Sequence, residues 1–139
     1  MEAASANRTV TLTIPAKPDY VVLARLALSA VCRMAPLELE AAADLKLAIT
    51  EAATFLMGGD RRSTARDGDG DHDDADASMR FSFDLQDEEI IVEVRGSEQR
   101  TFSEEERELS RAIIDATVDD CVYDEGTMRL RKRLGLAAE

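Results

Sequence analysis

The sequence predicts a single α+β domain, a two-layer sandwich with helices on one face of a mostly antiparallel mixed sheet. Three observations lead to this prediction. The chain has 139 residues, the length of one ordinary domain. Segments with strand alternation and segments with helical spacing follow one another in the order β-α-α-β-β-α-β-β. No βαβ repetition occurs, and mixed runs of helix and strand are typical of helices packed on one face of an antiparallel sheet.

The first half of the chain predicts one strand and two helices. Thr9–Ile14 alternates polar and apolar residues, as a half-buried strand does. A helix is expected from Pro18 to about Met34, because proline is tolerated in a first helical turn. Pro36 separates it from a second helix, which ends at Gly58-Gly59. The apolar faces are expected to contain Tyr20, Leu23, Ala27, Ala30, Val31 and Met34 in the first helix, and Leu39, Ala42, Leu45, Ile49, Ala52 and Phe55 in the second.

The second half predicts two hairpins and one helix. Met79–Leu85 alternates in the same way as the first strand, and Ile90–Val94 is expected to be the strand that returns after a turn at residues 87–89. A capping box at Ser103–Glu106 opens a helix over 104–117. A final hairpin joins residues 121–123 and 127–131 through Glu125-Gly126. The apolar face of the helix is expected to contain Leu109, Ala112, Ile113 and Ala116.

The acidic stretch at about 60–78 is predicted to be a mobile, disordered loop within one domain over residues 1–139. It carries six Asp between positions 67 and 76 and no large aliphatic residue. Asp67, Asp69 and Asp71 fit the first three ligand positions of an EF-hand loop. The glycine expected at the sixth position is His72, however, and the glutamate expected at the twelfth is Ser78. We therefore expect no metal site.

Composition excludes several classes of function. The net charge of −12 argues against a nucleic-acid-binding surface and against a polybasic membrane anchor. The longest apolar runs are interrupted by Arg25 and Arg33, so no membrane span is expected. We expect the protein to be cytoplasmic. One His and two Cys cannot build a structural zinc site. Cys32 and Cys121 are expected to be small core residues rather than a redox pair.

One helical stretch carries a resemblance to a known family. The run from Leu47 to Thr54, LAITEAAT, resembles the N-box helix of the anti-sigma-factor serine kinases, whose pattern is A-[VI]-x-E-A-x-x-N. These proteins have the histidine-kinase-like (Bergerat) ATPase fold. The strand at 11–16, the helix at 20–34 with its central Arg25, the hairpin at 79–95, the helix at 104–117 and the segment 126–130 resemble the family in order and spacing. The resemblance covers the chain except for the acidic loop.

The chain departs from that family where the family binds nucleotide. Phe55 stands in place of the magnesium-holding Asn, and Gly96 in place of the Asp that bonds adenine. Residues 103–108 replace the glycine-rich lid with carboxylates, which would repel a triphosphate. Only Glu51, the candidate general base, remains, and a lone carboxylate does not transfer a phosphoryl group. The sequence therefore predicts a vestigial Glu51, no cofactor and no enzyme activity.

The resemblance implies an anti-sigma factor that binds and sequesters an alternative sigma factor, as a homodimer in the bacterial cytoplasm, with kinase activity lost. An acidic protein suits the basic surface of a sigma factor. The resemblance places Arg25 in the partner-binding surface. The other interpretation is that Arg25 is an exposed helical arginine with no special role. Two alternatives stay open at this point. One is an active serine kinase that phosphorylates an anti-anti-sigma (STAS) protein, and the other is a non-catalytic adaptor on the same fold.

Overall fold

The computed structural model describes residues 8–35, 37–57, 77–96 and 104–134. It confirms the α+β prediction, with helices on one side of an open sheet. The predicted mobile loop at about 60–78 lies outside these ranges except for residues 77 and 78, and both this loop and the single domain over 1–139 stay predictions. In chain order the elements are β1 (Arg8–Pro15), a 3-10 turn (Pro18–Tyr20), α1 (Val21–Cys32), α2 (Leu39–Met57), β2 (Ser78–Leu85), β3 (Glu89–Arg95), α3 (Glu104–Thr117), β4 (Asp120–Asp124) and β5 (Thr127–Arg133).

The sheet has the strand order β1-β2-β3-β5-β4, and each neighbouring pair is antiparallel. Side chains alternate between its two faces, as they must in extended chain. The inner face is buried beneath the helices, whereas the outer face carries mostly polar and charged residues. The inner face is formed by Ile14, Met79, Phe81, Phe83, Leu85, Ile90, Val92, Val94, Met128 and Leu130.

The helix α2 supplies most of the helical side of the core. Three of its alanines, Ala48, Ala52 and Ala53, are fully buried. Small side chains let the helix axis approach the sheet closely, and Leu45 and Ile49 fill the remaining space. α1 adds Ala24 and Leu28 beside α2, and α3 adds Ile114 on its other side. This packing fixes the face of α2 that carries the candidate base.

Two of the predicted helical faces are wrong. In α1 the expected Leu23 is exposed, as is Met34, which lies two residues beyond the end of the helix. The buried residues of α1 are Val21, Ala24, Leu28 and Val31. α1 is apolar almost all round, so its spacing alone does not distinguish the face toward the sheet. In α3 the expected Leu109 is 63% exposed, and the helix buries Ile114, Thr117 and, just beyond its end, Val118.

The β4–β5 hairpin turns as the sequence predicts. Glu125 and Gly126 have φ angles of 41° and 82°, the left-handed values of a two-residue hairpin turn. The backbone N–H of Gly96 donates a hydrogen bond of 2.9 Å to the carbonyl of Gly126. The end of β3 is therefore tied to this turn, close to the end of α2.

Candidate functional site

The candidate base Glu51 lies on α2 where α3 packs against it. Ser110 of α3 donates a hydrogen bond of 3.2 Å from its Oγ to Oε1 of Glu51. Both side chains are half-buried. A carboxylate that accepts a bond from a hydroxyl is the arrangement that general-base chemistry requires. In this structure the hydroxyl belongs to the same chain.

Phe55 lies one helical turn beyond Glu51 and is only 7% exposed. Its ring packs edge-to-face against Tyr123 of β4, with ring centroids 5.3 Å apart and an interplanar angle of 67°. This contact joins α2 to the far edge of the sheet and contributes about 1 kcal/mol beyond the area it buries. Position 55 is therefore an apolar packing position.

Gly96 marks a close approach between the end of β3 and the end of α2. A Cβ atom at this position would lie 2.9 Å from Cβ of Leu56 and 3.1 Å from Cε of Met79. Real Cβ atoms essentially never make a contact as short as 2.9 Å, and 3.1 Å is tighter than nine in ten of their contacts. An aspartate side chain thus has no room at position 96 unless α2 and β3 move apart.

The residues at positions 55 and 96 do not fit a nucleotide held as the family resemblance implies. Magnesium takes oxygen ligands, which a phenylalanine ring does not provide. The side-chain space next to Gly96 is filled by Leu56 and Met79. In the described parts of the chain, no cluster of three or more His, Cys, Asp or Glu residues could hold a metal ion.

Arg25 lies on the exposed side of α1. Val22, Arg25, Leu26 and Arg33 form what we call the α1 outer face. Val22 is 49% exposed and Leu26 is 61% exposed. Among the residues that the structure describes, Arg25 makes no ion pair. Exposed aliphatic groups flanked by arginines are typical of a protein-binding surface.

Lys132 ties the helices to the sheet below the candidate site. Its Nζ donates a 2.9 Å hydrogen bond to the carbonyl of Thr117 and lies 3.4 Å from Oδ2 of Asp44. The lysine side chain is 16% exposed. A cation at the last carbonyls of α3 also complements the helix dipole. One side chain of β5 thus connects α2 and α3.

Both cysteines are free and half-buried. Burial raises the pKa of the Cys32 thiol, and nearby Lys46 opposes this only in part. Burial likewise raises the pKa of the Cys121 thiol, with Arg111 acting in the opposite direction. The thiols are therefore protonated at neutral pH, and neither is the reactive thiolate of a redox site.

The sequence singled out Glu51 and Arg25 as candidates, but it did not predict the residues that Glu51 and its neighbours contact. Ser110 lies on the buried side of α3 with Ile114 and Thr117, at spacings of four and seven residues. The signal that could have identified Ser110 is a polar residue at helical spacing from Ile114, on the side of α3 that packs against the core. The pairing of Leu56 with Gly96 has no signal in a single sequence, because 40 positions separate the two residues.

Comparisons with known proteins identify relatives of this chain. No protein-family model matches it. The serine-protein kinase RsbW of Listeria monocytogenes serotype 4a is 47% identical over 51 residues, which cover 37% of this chain and 32% of that relative. The protein of the same name in Listeria innocua matches to the same extent. The chain thus spans about a third of the length of these relatives.

A longer match comes from the serine-protein kinase RsbW of Bacillus pumilus. It is 34% identical over 116 residues, which cover 81% of this chain and 67% of that relative. The described helices include none that is both long and apolar enough to cross a membrane.

The prediction that the chain is not an enzyme, a degenerate kinase fold, is wrong by these comparisons. The relatives are named serine-protein kinases, and they place the chain in an enzyme family. The prediction took the replacement of particular side chains at positions 55, 96 and 103–108 as the loss of an activity. By its match to the Bacillus pumilus protein over two thirds of that protein's length, the chain belongs to the RsbW family of anti-sigma-factor serine kinases.

Proposed function

We propose that this chain is a cytoplasmic anti-sigma factor, which binds an alternative sigma factor through the α1 outer face and keeps it from RNA polymerase. The exposure of Val22 and Leu26 beside Arg25 carries this proposal. The opposite side of the same helix is fully buried at Ala24 and Leu28. α1 is thus anchored on the core side, and its free side offers an apolar centre with a cationic rim.

The energetics favour this surface as a binding site. Full burial of a Val or Leu side chain is worth about 1.5–3 kcal/mol, so covering two half-exposed side chains contributes about 1 kcal/mol each. Arg25 makes no ion pair among the described residues, so pairing with a carboxylate of the partner breaks none of the ion pairs seen there. The net charge of −12 steers a partner with a basic DNA-binding surface toward the chain and raises the rate of association.

A second candidate function is phosphorylation of a serine in an anti-anti-sigma (STAS) protein. The names of the relatives favour it. Glu51, half-buried on α2 and bonded to the Ser110 hydroxyl of the same chain, is the carboxylate that would act as the base. In this role Glu51 accepts the proton of the substrate serine.

The first test measures binding to the alternative sigma factors of the host, each purified and titrated by calorimetry. We expect saturable binding of one alternative sigma factor, and repression of its transcription in a reconstituted assay. Absence of binding to every sigma factor in the panel would contradict the proposal and favour the adaptor alternative.

The second test addresses the kinase candidate. The parent protein and a Glu51→Gln variant are incubated with ATP and a purified STAS protein of the host, and serine phosphate is measured by mass spectrometry. Phosphorylation by the parent that is lost in the variant supports the candidate. Absence of phosphorylation by the parent removes it and leaves sigma-factor binding untouched.

We also propose that the chain acts as a homodimer. A dimer presents two α1 outer faces to its partners. Sedimentation equilibrium of the purified chain measures the subunit number directly, and a monomer at all concentrations up to about 100 μM, above the range of most specific associations, would contradict it.

A further inference from the structure

Two arginines lie directly opposite each other on the outer face of the sheet, in an otherwise acidic chain. Arg80 of β2 pairs in register with Arg95 of β3, and both side chains are exposed. Like charges directly opposite each other on neighbouring strands destabilise a sheet. Among the residues that the structure describes, neither arginine takes part in an ion pair or a side-chain hydrogen bond. The fold therefore holds two positive charges together without compensating either of them.

Two threonines extend this pair of arginines into a row across four strands. The register places Thr13 of β1 beside Arg80 and Thr127 of β5 beside Arg95. We call Thr13, Arg80, Arg95 and Thr127 the arginine row. A guanidinium donates two parallel hydrogen bonds to a carboxylate, and a hydroxyl can donate another. β2 and β3 are each paired on both sides, so the backbone of both arginines is already held in place before a ligand binds.

The carboxylates on this face of the sheet leave the arginine row unneutralised. Glu93 is the charged neighbour two residues before Arg95 on β3, and its partner in register is Arg129. Farther along β3, Glu89 is already paired with Arg131, with Oε1 and Nε 3.4 Å apart. The row thus offers donors and positive charge to a ligand that supplies carboxylates.

We infer that the arginine row binds an acidic segment of a partner protein, with aspartate or glutamate at alternate positions of an extended chain. Alternate side chains of an extended chain point to the same side, about 6.6–6.8 Å apart. The Cβ atoms of directly opposed residues lie about 4.5–5.5 Å apart, so two flexible arginine side chains can reach two such carboxylates.

This partner is distinct from a sigma factor held on the α1 outer face. The helices cover the inner face of the sheet, whereas the arginine row lies on the outer face. The inference therefore goes beyond the proposed function and does not rest on it. The net charge of −12 slows the approach of an acidic partner, but charges farther than about 8 Å from a contact are largely screened at physiological ionic strength.

The binding test uses a labelled synthetic peptide with aspartate at alternate positions, titrated with the full chain and followed by fluorescence anisotropy. We expect saturable binding, and none for the same peptide with asparagine in place of aspartate. Replacing Arg80 and Arg95 together by glutamine should weaken binding about tenfold, the effect of losing two exposed charge pairs of ordinary strength.

A matched control removes the same charge from elsewhere in the chain. Arg8→Gln combined with Lys17→Gln also removes two exposed cations. Arg8 is paired with the inner-face residue Leu85, and Lys17 lies beyond the end of β1. This control should bind the peptide as the parent does. If it weakens binding as much as the replacement of Arg80 and Arg95, the peptide responds to overall charge alone and the inference is overturned.

Urea unfolding separates a binding role of the arginines from a structural one. Arg95→Gln removes one of the two opposed charges, so its unfolding midpoint should equal or exceed that of the parent. A lower midpoint would show that the arginine serves the fold and would overturn the inference. The same measurement shows whether the double variant is folded when its peptide binding is compared.

Other ligands of the arginine row are distinguished by the same titration. Binding that appears only after the six aspartates between positions 67 and 76 are replaced by asparagine would assign the row to this chain's own acidic stretch. Binding of a single-stranded oligonucleotide through the same arginines, without binding of the peptide, would assign it to nucleic acid. Either result, or no binding at all, overturns the inference, whereas sigma-factor binding is measured independently.

Discussion

Gly96 should not tolerate even the smallest side chain. Gly96→Ala adds one methyl group, whose carbon would lie 2.9 Å from Cβ of Leu56 and 3.1 Å from Cε of Met79. The thioether end of Met79 can rotate away. Cβ of Leu56 is fixed to the backbone of α2 and cannot. The end of α2 must therefore shift by several tenths of an ångström from the end of β3.

The expected cost follows from what such overpacking does in protein cores. An added methylene in a tightly packed site typically costs 1–3 kcal/mol. The hydrogen bond from Gly96 N–H to Gly126 holds this end of β3 in place, so we expect about 2 kcal/mol here. Urea unfolding followed by circular dichroism measures this free energy. The midpoint should fall while the slope stays constant.

A double variant checks that backbone proximity is the cause. Gly96→Ala should cost as much in a Leu56→Ala background, which retains the Cβ atom that clashes, as in the parent, and should cost less in a Leu56→Gly background, which lacks that atom. The free energy of unfolding of Gly96→Ala could instead lie within about 0.3 kcal/mol of the parent's, well below the cost of overpacking. In that case the close approach of α2 to β3 does not restrict position 96. Position 96 would then also have room for an aspartate side chain.

Three further predictions concern other parts of the chain. Lys132→Met should cost about 1–3 kcal/mol in urea unfolding, because it leaves the Thr117 carbonyl without its donor; a smaller loss would mean that water replaces the lysine. The free energy of unfolding should fall as the pH rises through about 9, because burial raises the pKa of Cys32 and Cys121 and their unfolded thiols lose protons first. This fall should be smaller in a variant with alanine at both cysteines, and an equal fall in that variant would contradict the assignment. Glu51→Ala should cost about 0.5–1.5 kcal/mol of stability through the lost bond from Ser110, yet leave sigma-factor affinity within about 1 kcal/mol; a larger loss of affinity would place Glu51 in the binding surface.

The strands could be predicted from the sequence almost to their ends. Residues 79–85 alternate strictly, and period-two alternation with one buried face leaves little freedom in register. The turn at Glu125-Gly126 was equally well specified, because glycine readily adopts the left-handed conformation found there. Local signals of this kind need no knowledge of the rest of the fold.

The buried faces of α1 and α3 could not be predicted in the same way. Both helices have apolar residues on more than one side, and the fold decides which side packs on α2 and the sheet. Leu109 is exposed while Ser110 is half-buried against Glu51, the reverse of what hydrophobicity alone suggests. The candidate site depends on such contacts between distant parts of the chain. Glu51 was recognised from a motif, but its partner Ser110 was not.

The affinity of Arg25→Ala for the sigma factor is the most direct test of binding through the α1 outer face. Arg25 is exposed and forms no ion pair among the described residues, so the variant should unfold like the parent. Calorimetric titration should show binding weakened by about 2 kcal/mol, roughly 30-fold. Arg129→Ala, on the outer face of the sheet, is the matched control and should bind as the parent does. Equal affinity of Arg25→Ala and Arg129→Ala would contradict binding through the α1 outer face.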